Sequence, residues 1–281
     1  MRILGSVLFM AILLLRPKEA SDAARAALVL WGKEVVPCLF PYMVLTRLVA
    51  EQMRRSSKGM TTPILLGILG GSPSGAAALS ASAGDGINRR SLYSLCALTG
   101  TISPMFLINT LGGWLNNRYY GWLLFVSHLI GAGITAALVF GTAEYSAPLF
   151  TRTDETDAKE RSPIQESVLA VLGVGGCIVF FSVAAFAISS FVRLPPAFVA
   201  VFHGMLEVAG GLKAVANLSV SEFEKSLMCT ALAGFNGFSI FSQNLLYLNR
   251  HGIRLNDLLM LGIVRCICSS TVFCLIWLLF A

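Results

Sequence analysis

Residues 70–86 read GGSPSGAAALSASAGDG, inside a segment otherwise apolar enough to lie in a membrane. Gly71, Ser72, Pro73, Ser74 and Gly75 at its centre are residues that open a helix, because glycine and proline weaken it and proline withdraws an N–H. A second such stretch, ALAGFNGFSIFSQN at 231–244, carries Asn236, Gly237, Ser239, Ser242 and Gln243. Opened backbone is tolerated at membrane depth only where it is buried in protein or lines a wet cavity. Both stretches are therefore expected to be re-entrant hairpins, each made of two half-helices that meet at a polar tip. The chemistry open to such a tip is non-covalent: a half-helix N-terminus offers N–H groups and partial positive charge to an anion or polar solute. Close packing by small residues and hydrogen-bonding glue between helices is the competing reading of the same residues.

Three further features belong with the tips. Thr99, Thr101, Ser103 and Asn109 surround Pro104 in the span after the first tip, and the lost backbone bond predicts an unwound, carbonyl-lined stretch. Glu207, in HGMLEVAGG, and Arg265, in GIVRCICSS, are charges inside apolar helices, which makes each a functional-site candidate by default. Glu207 either couples a proton or cation or pairs with Arg265. Arg265 either neutralises Glu207 or takes a substrate carboxylate on its guanidinium fork. His128 and His203 lack the spacing of metal ligands and read as packed side chains. GSPSG departs from the serine-nucleophile turn, since proline stands where that pattern has its central serine. With no phosphate-binding or dinucleotide fingerprint either, no enzyme activity and no cofactor are expected.

Positioning these residues is the work of a chain that is 56% hydrophobic and only 13% charged, with mean hydropathy +0.74, far from the balance of a soluble domain. The expected fold is all-α and polytopic. Apolar windows near 3–15, 26–50, 93–115, 121–141, 168–191, 197–216 and 258–280 predict about seven transmembrane helices, and the two re-entrant hairpins are added near 61–85 and 226–250. The first window is short and reads as a retained anchor or a tilted short helix. One integral membrane domain, 1–281, is expected, with a first half over 1–145, a connecting loop over 146–167 and a second half over 168–281. The net charge of +6 falls in short loops, where Lys and Arg set topology, so no nucleic-acid partner is expected. Arg54, Arg55 and Lys58 before the first hairpin and Arg89 and Arg90 after it give both ends the mark of the cytoplasmic side. The seven cysteines lie in or beside apolar segments and read as small hydrophobes, with no metal site.

The halves echo one another. Pro37 and Pro41 break a helix ahead of the first hairpin, Gly210 and Gly211 do so ahead of the second, and a polar or charged span follows each. Helix, hairpin and helix in duplicate is the layout of many secondary transporters, with substrate held at the repeat interface. The crossing count puts both hairpins on one face, so either a span is miscounted or the repeat is parallel rather than inverted.

RPKEASDAARAALVLWGKEVVPCLFPYMVLTRLV at 16–49 resembles the N-terminal signature of the YlbJ-type sporulation integral membrane proteins, part of a wider group with the nucleoside-recognition, or gate, domain. GGSPSGAAAL, TGTISPMFLIN, GMLEVAGG and FNGFSIFSQ continue the resemblance in order along most of the chain. The resemblance implies a protein of the bacterial cell membrane, in the outer forespore membrane on the mother-cell side, that moves dipicolinic acid toward the spore. It also implies pathway residues: Pro37 and Pro41, Gly71 to Gly75, Thr101 to Pro104, Glu207 with Gly210 and Gly211, and Asn236 to Gln243. The hairpin departs from the family pattern, Gly-Tyr-Pro-x-Gly followed by a base, in having Ser72 for the aromatic and Ala76 or Ala77 for the base.

The function expected is alternating-access transport of a small anionic metabolite, with the hairpin tips and Arg265 meeting two carboxylates and Phe106, Phe235 and Phe238 enclosing a ring. A nucleoside-like solute and a non-transporting scaffold or regulatory component of a sporulation complex are the alternatives. The expected partners are the lipid bilayer, the substrate, a coupling cation or proton, and either further copies of the chain or sporulation membrane proteins.

Overall fold

In a computed structural model, residues 2–55, 61–83, 89–140, 162–191 and 194–280 are described, and helices account for nearly all of them, with no strand among them. Helix α1 (Arg2–Leu15) turns at Arg16 into α2 (Pro17–Leu30), with Pro17 at a first-turn position where its missing N–H costs nothing. A π-helical turn, Trp31–Val35, carries α2 without interruption into α3 (Val36–Arg55). Pro37 and Pro41, expected to break this helix, lie inside it. The widened π turn sits just where the Pro37 ring would otherwise meet a carbonyl of the preceding turn. The Trp31 indole donates to the Val171 carbonyl at 3.2 Å and Arg47 pairs with Glu166, fastening this long helix along α9 (Pro163–Ser189).

Helices α4 (Thr61–Gly70) and α5 (Ser74–Ser82) fold back on one another. A Cβ added at Gly75 would stand 2.7 Å from the Gly67 Cα, so only glycine permits this crossing. Helix α6 (Arg89–Thr99) stops at a non-helical stretch, 100–103, and the chain resumes at Pro104 through a π-helical segment, Phe106–Leu111, and α7 (Gly112–Trp114). The unwinding expected beside Pro104 is present, and proline opens the second piece rather than kinking a continuous one. Helix α8 (Arg118–Phe140) completes this half.

After α9, whose N-terminus is closed by a reciprocal Ser162–Gln165 capping box, α10 (Pro196–Leu206) and α11 (Val208–Ala216) also fold back on one another. The chain then runs through α12 (Glu222–Phe235), α13 (Gly237–Leu248), a short 3₁₀ turn at Asn249–His251, and α14 (Leu255–Phe280). The sequence leads to a plain span over 197–216 and a hairpin near 226–250; in the structure the fold-back is at α10–α11. Glu207 is extended (φ −134°, ψ 108°) and its carboxylate takes the N–H groups of Ala209 and Gly210 at 2.9 and 2.6 Å, closing a one-residue turn. Gly204 and Gly211 then face each other with no side chain between them. At Asn236 (φ 78°) and Gly237 (φ 74°) two successive left-handed residues, a conformation other side chains avoid, send α12 and α13 apart instead. Helix α12 packs on α14 and α8, and α13 on α9 and α5.

The order long helix, helical hairpin, interrupted helix, long helix thus occurs twice, as α2–α3, α4–α5, α6–α7, α8 and as α9, α10–α11, α12–α13, α14. Among the described residues four helices are long and apolar enough to cross a membrane: Pro17–Val49, Arg118–Val139, Pro163–Ser189 and Leu255–Phe280. Each is one of the long helices in that order. Helices α8 and α14 join the halves by close packing, Gly131 lying flat against Ser269.

Candidate functional site

The interruptions converge in the protein interior. At the first tip Gly71 adopts φ 64°, and a Cβ there would come within 2.5 Å of the Ser103 nitrogen. The Ser72 N–H donates to the Thr101 carbonyl at 2.8 Å and the Ser72 hydroxyl donates to the Asn244 side-chain carbonyl; the Ser72–Pro73 peptide is cis. The α4–α5 tip is therefore laced to the break in α6–α7 and to α13. At the second break, Asn236 Nδ2 donates to the Gly100 carbonyl, tying the two interrupted helices to each other. Gly237 backs onto the Gly204 and Met205 carbonyls at the end of α10, so the α10–α11 tip leans on the Asn236 break as the α4–α5 tip leans on 100–103.

Arg265 reaches this centre from α14 and is 3% exposed. Its Nε donates to the Gly234 carbonyl at 2.9 Å and its Nη1 to the Ala97 carbonyl at 3.2 Å. Those carbonyls belong to the last turns of α12 and α6, where a helix leaves acceptors unmet and carries partial negative charge. The guanidinium therefore clamps two helix C-termini. The pairing with Glu207 is not what the geometry presents, since Glu207 spends its carboxylate on the N-terminus of α11 while Arg265 Nε and Nη1 hold the ends of α12 and α6. His128, on α8, accepts the Ile102 N–H at 3.2 Å, a packed and hydrogen-bonded histidine as its context suggests.

Four half-helices begin at this centre, and they are not equivalent. Glu207 caps α11, and the Ser103 hydroxyl accepts the Phe106 N–H at 3.3 Å at the start of the helix resuming at Pro104. Helices α5 and α13 have no side-chain cap. Each instead carries a buried serine in its first turn, Ser74 at 7% and Ser239 at 1% exposure, whose hydroxyl has no hydrogen-bond partner. Thr101 Oγ1 and Asn236 Oδ1 are likewise buried without partners. Buried polar atoms are normally satisfied, so uncapped N-termini flanked by idle hydroxyls suit a polar or anionic guest. Gln243 is buried one turn beyond Ser239 on α13.

Not every expected residue gathers here. Phe235, Phe238 and Phe241 form an edge-to-face trio with centroids 5.3 to 6.4 Å apart, whereas Phe106 packs edge-on to Trp114 in a separate cluster, so the ring enclosure that included Phe106 is absent. Pro37 and Pro41 stay within α3 and its approach, while Gly210 and Gly211 serve the α10–α11 turn. Asn244 and Gly100 are site residues that the sequence reading passed over. The signal for Asn244 was its place beside Gln243 in an apolar helix, where a lone amide needs a partner.

The long apolar helices and the buried interruptions define an integral membrane protein built wholly of helices in its described residues. Within that class, the chain is similar to Sporulation integral membrane protein YlbJ of Bacillus subtilis (strain 168), with 22% identity over 326 aligned positions that cover 95% of this chain and 80% of the relative. The motif resemblance to YlbJ-type proteins thus extends over almost the full sequence. No family model matches the chain, and no solved structure does.

Proposed function

We propose that this protein translocates a small anionic metabolite across a bacterial membrane during spore formation, with dipicolinic acid the best candidate. The observation that carries this reading is the pair of uncapped N-termini, α5 and α13, each with a buried, partnerless serine hydroxyl in its first turn. Two such termini suit two carboxylates, and helix N-termini bind anions without any cationic side chain. The spore context rests on the name of the similar protein and on the motif resemblance.

In this reading α4–α5 and α10–α11 are re-entrant, entering and leaving the bilayer on one face. Each half then makes an odd number of crossings: a long helix, an interrupted helix and a second long helix. An odd number inverts the second half relative to the first, so the two hairpins enter from opposite faces, as in inverted-repeat transporters. Arg47, Arg250 and Arg254 lie at the end from which α4–α5 enters, which the positive-inside tendency makes cytoplasmic. Alternating access follows from exchanging which tip rests on its broken helix. Glu207, at one tip, is the candidate for coupling a proton or cation, because protonating it would release an N–H that it now holds. No catalytic step and no cofactor are assigned.

The test is uptake of labelled dipicolinate by proteoliposomes under an imposed ion gradient. Saturable uptake that falls in Ser239→Ala and Asn236→Ala supports the site. Saturable uptake of nucleosides with none of dipicolinate would replace the substrate and retain the transporter.

A further inference from the structure

The two hairpins are held at their bases by different chemistry. Helix α5 ends at Ser82, so Ser80 belongs to its last turn, where carbonyls lack an intrahelical donor and carry partial negative charge. Arg250, in the 3₁₀ turn that follows α13, meets that end: Nη2 donates to the Ser80 carbonyl at 2.7 Å and Nε to the Ser80 hydroxyl at 2.9 Å. These two nitrogens form one edge of the guanidinium, so the contact is a planar fork on a single residue, which an ammonium does not reproduce. His251 Nε2 lies 3.0 Å from the same carbonyl. The Ser80 hydroxyl donates in turn to the Tyr247 carbonyl at 2.7 Å, in the last turn of α13, and Ser80 is 3% exposed.

The tip of this hairpin is tied as well, through the bonds of Ser72 to Thr101 and Asn244. Helices α4–α5 are therefore bonded at both ends to α13 and the turn after it. Helices α10–α11 are not: among the described residues they make no hydrogen bond to another element. Glu207 spends its carboxylate within its own turn, and the α11 end is met only by an ion pair, Lys213 standing 3.6 Å from Glu34 Oε1 and 5.4 Å from the Trp114 ring centre. The two charged side chains are 42% and 36% exposed, and an exposed pair contributes little and is screened by salt. Both hairpins pack on neighbouring helices, α4–α5 on α3, α6 and α13 and α10–α11 on α9, α12 and α13. The difference between them lies in the polar ties.

We infer that Ser80, Arg250 and His251 form a latch that holds α4–α5 shut: the interior site opens at lower cost beneath α10–α11, and it opens beneath α4–α5 only when the 249–251 turn releases α5. The inference deepens the transport reading and rests on it for there being two openings. Local opening follows the contacts that are cheapest to break. Arg250 is itself exposed, so its guanidinium can leave the fork for water, which makes the contact releasable as a buried charge would not be.

The experiment places a single cysteine at Ser74, at the buried start of α5, in the full chain without its native cysteines, reconstituted in oriented vesicles. A membrane-impermeant maleimide is applied from one face or the other. In the parent, labelling should be at least tenfold faster from the face of Ser219 than from that of Gly252. Arg250→Ala should raise the rate from the Gly252 face at least tenfold and leave the other rate unchanged, with Arg250→Lys between the two. Ser80→Ala, which removes the hydroxyl and keeps the carbonyl, should raise it at least threefold with a melting temperature within a few degrees of the parent. Equal rates from the two faces in the parent, or a Gly252-face rate unchanged in both Arg250→Ala and Ser80→Ala, would overturn the latch. Dipicolinate uptake by the native chain in matching vesicles separates the two readings. Uptake together with unsided labelling would overturn the latch and retain the transporter; sided labelling that responds to Arg250→Ala, with no uptake of dipicolinate or nucleosides, would support the latch and remove the transport it was taken to serve.

Discussion

Arg265 and the idle serines separate two kinds of buried polar residue, and substitution should tell them apart. Arg265→Ala removes the donors of the Gly234 and Ala97 carbonyls and leaves both buried. A charged hydrogen bond lost at each should cost roughly 3 kcal/mol in all, read as a large fall in melting temperature in detergent together with lost uptake. Arg265→Lys should recover only part of either, because one ammonium does not span two carbonyls as a guanidinium fork does. Ser239→Ala and Ser74→Ala should behave oppositely. Their hydroxyls have no partner in the protein, so stability should be unchanged within about 0.5 kcal/mol while uptake drops at least tenfold; a matching loss of stability would make these hydroxyls structural. At this scale the sequence is legible as to which polar residues must be buried and silent on their partners. Arg265, Glu207, Ser72 and Asn236 stand out because polar groups are costly in hydrocarbon. That Arg265 serves helix ends and not Glu207 depends on how α6, α12 and α14 cross, which no local pattern encodes.

Among the elements, the hairpins rest on glycine contacts and the helix starts on caps. Gly211 has no room for a Cβ against Gly204, so Gly211→Val should splay α10 from α11 and cost about 1–3 kcal/mol or more. Gly173, on α9, faces open space, and Gly173→Val there should be close to neutral, both being measured as thermal stability in detergent. The α12 cap adds a pH dependence. Hydrogen bonds from Ser221 to the Glu224 carboxylate hold its pKa below the ordinary value. A carboxyl depressed in the folded state contributes stability above its unfolded pKa, and that contribution disappears as pH falls through the folded one. Acidification into the carboxylate range should therefore narrow the stability gap between the parent and Glu224→Gln, and a gap constant with pH would contradict the cap. Element types were readable from composition, and the break at 100–103 from Pro104. The α10–α11 fold-back is not legible in MLEVAGG, whose two glycines read as a helix break, while Asn236 and Ser239 beside Gly237 draw the hairpin expectation to FNGFS. What the pattern hides is that Glu207 closes its own turn and that Gly204 and Gly211, seven residues apart, fall on facing sides once it is closed.

For the whole molecule, the helices recur in the order helix, hairpin, interrupted helix and helix. Treating 197–216 as a span and 226–250 as a hairpin leaves both hairpins on one face. The proposed reading, in which the α10–α11 fold-back is the re-entrant one, makes the halves inverted. Single cysteines at Asn117 and Ser219, in a background without the native cysteines, should be labelled from one face of oriented vesicles, and cysteines at Arg254 and Gly252 from the other. Labelling of Ser219 from the same side as Gly252 and Arg254 would contradict the inverted arrangement. The central claim is that the converging helix starts bind a transported anion, and labelled dipicolinate uptake by proteoliposomes tests it most directly, with Ser239→Ala, Asn236→Ala and Glu207→Gln reconstituted in parallel. The account predicts saturable uptake by the parent that is reduced at least tenfold in each variant at equal incorporation. Saturable uptake undiminished in all three would contradict it, because the anion would then cross by a route that does not pass the tips of these helices.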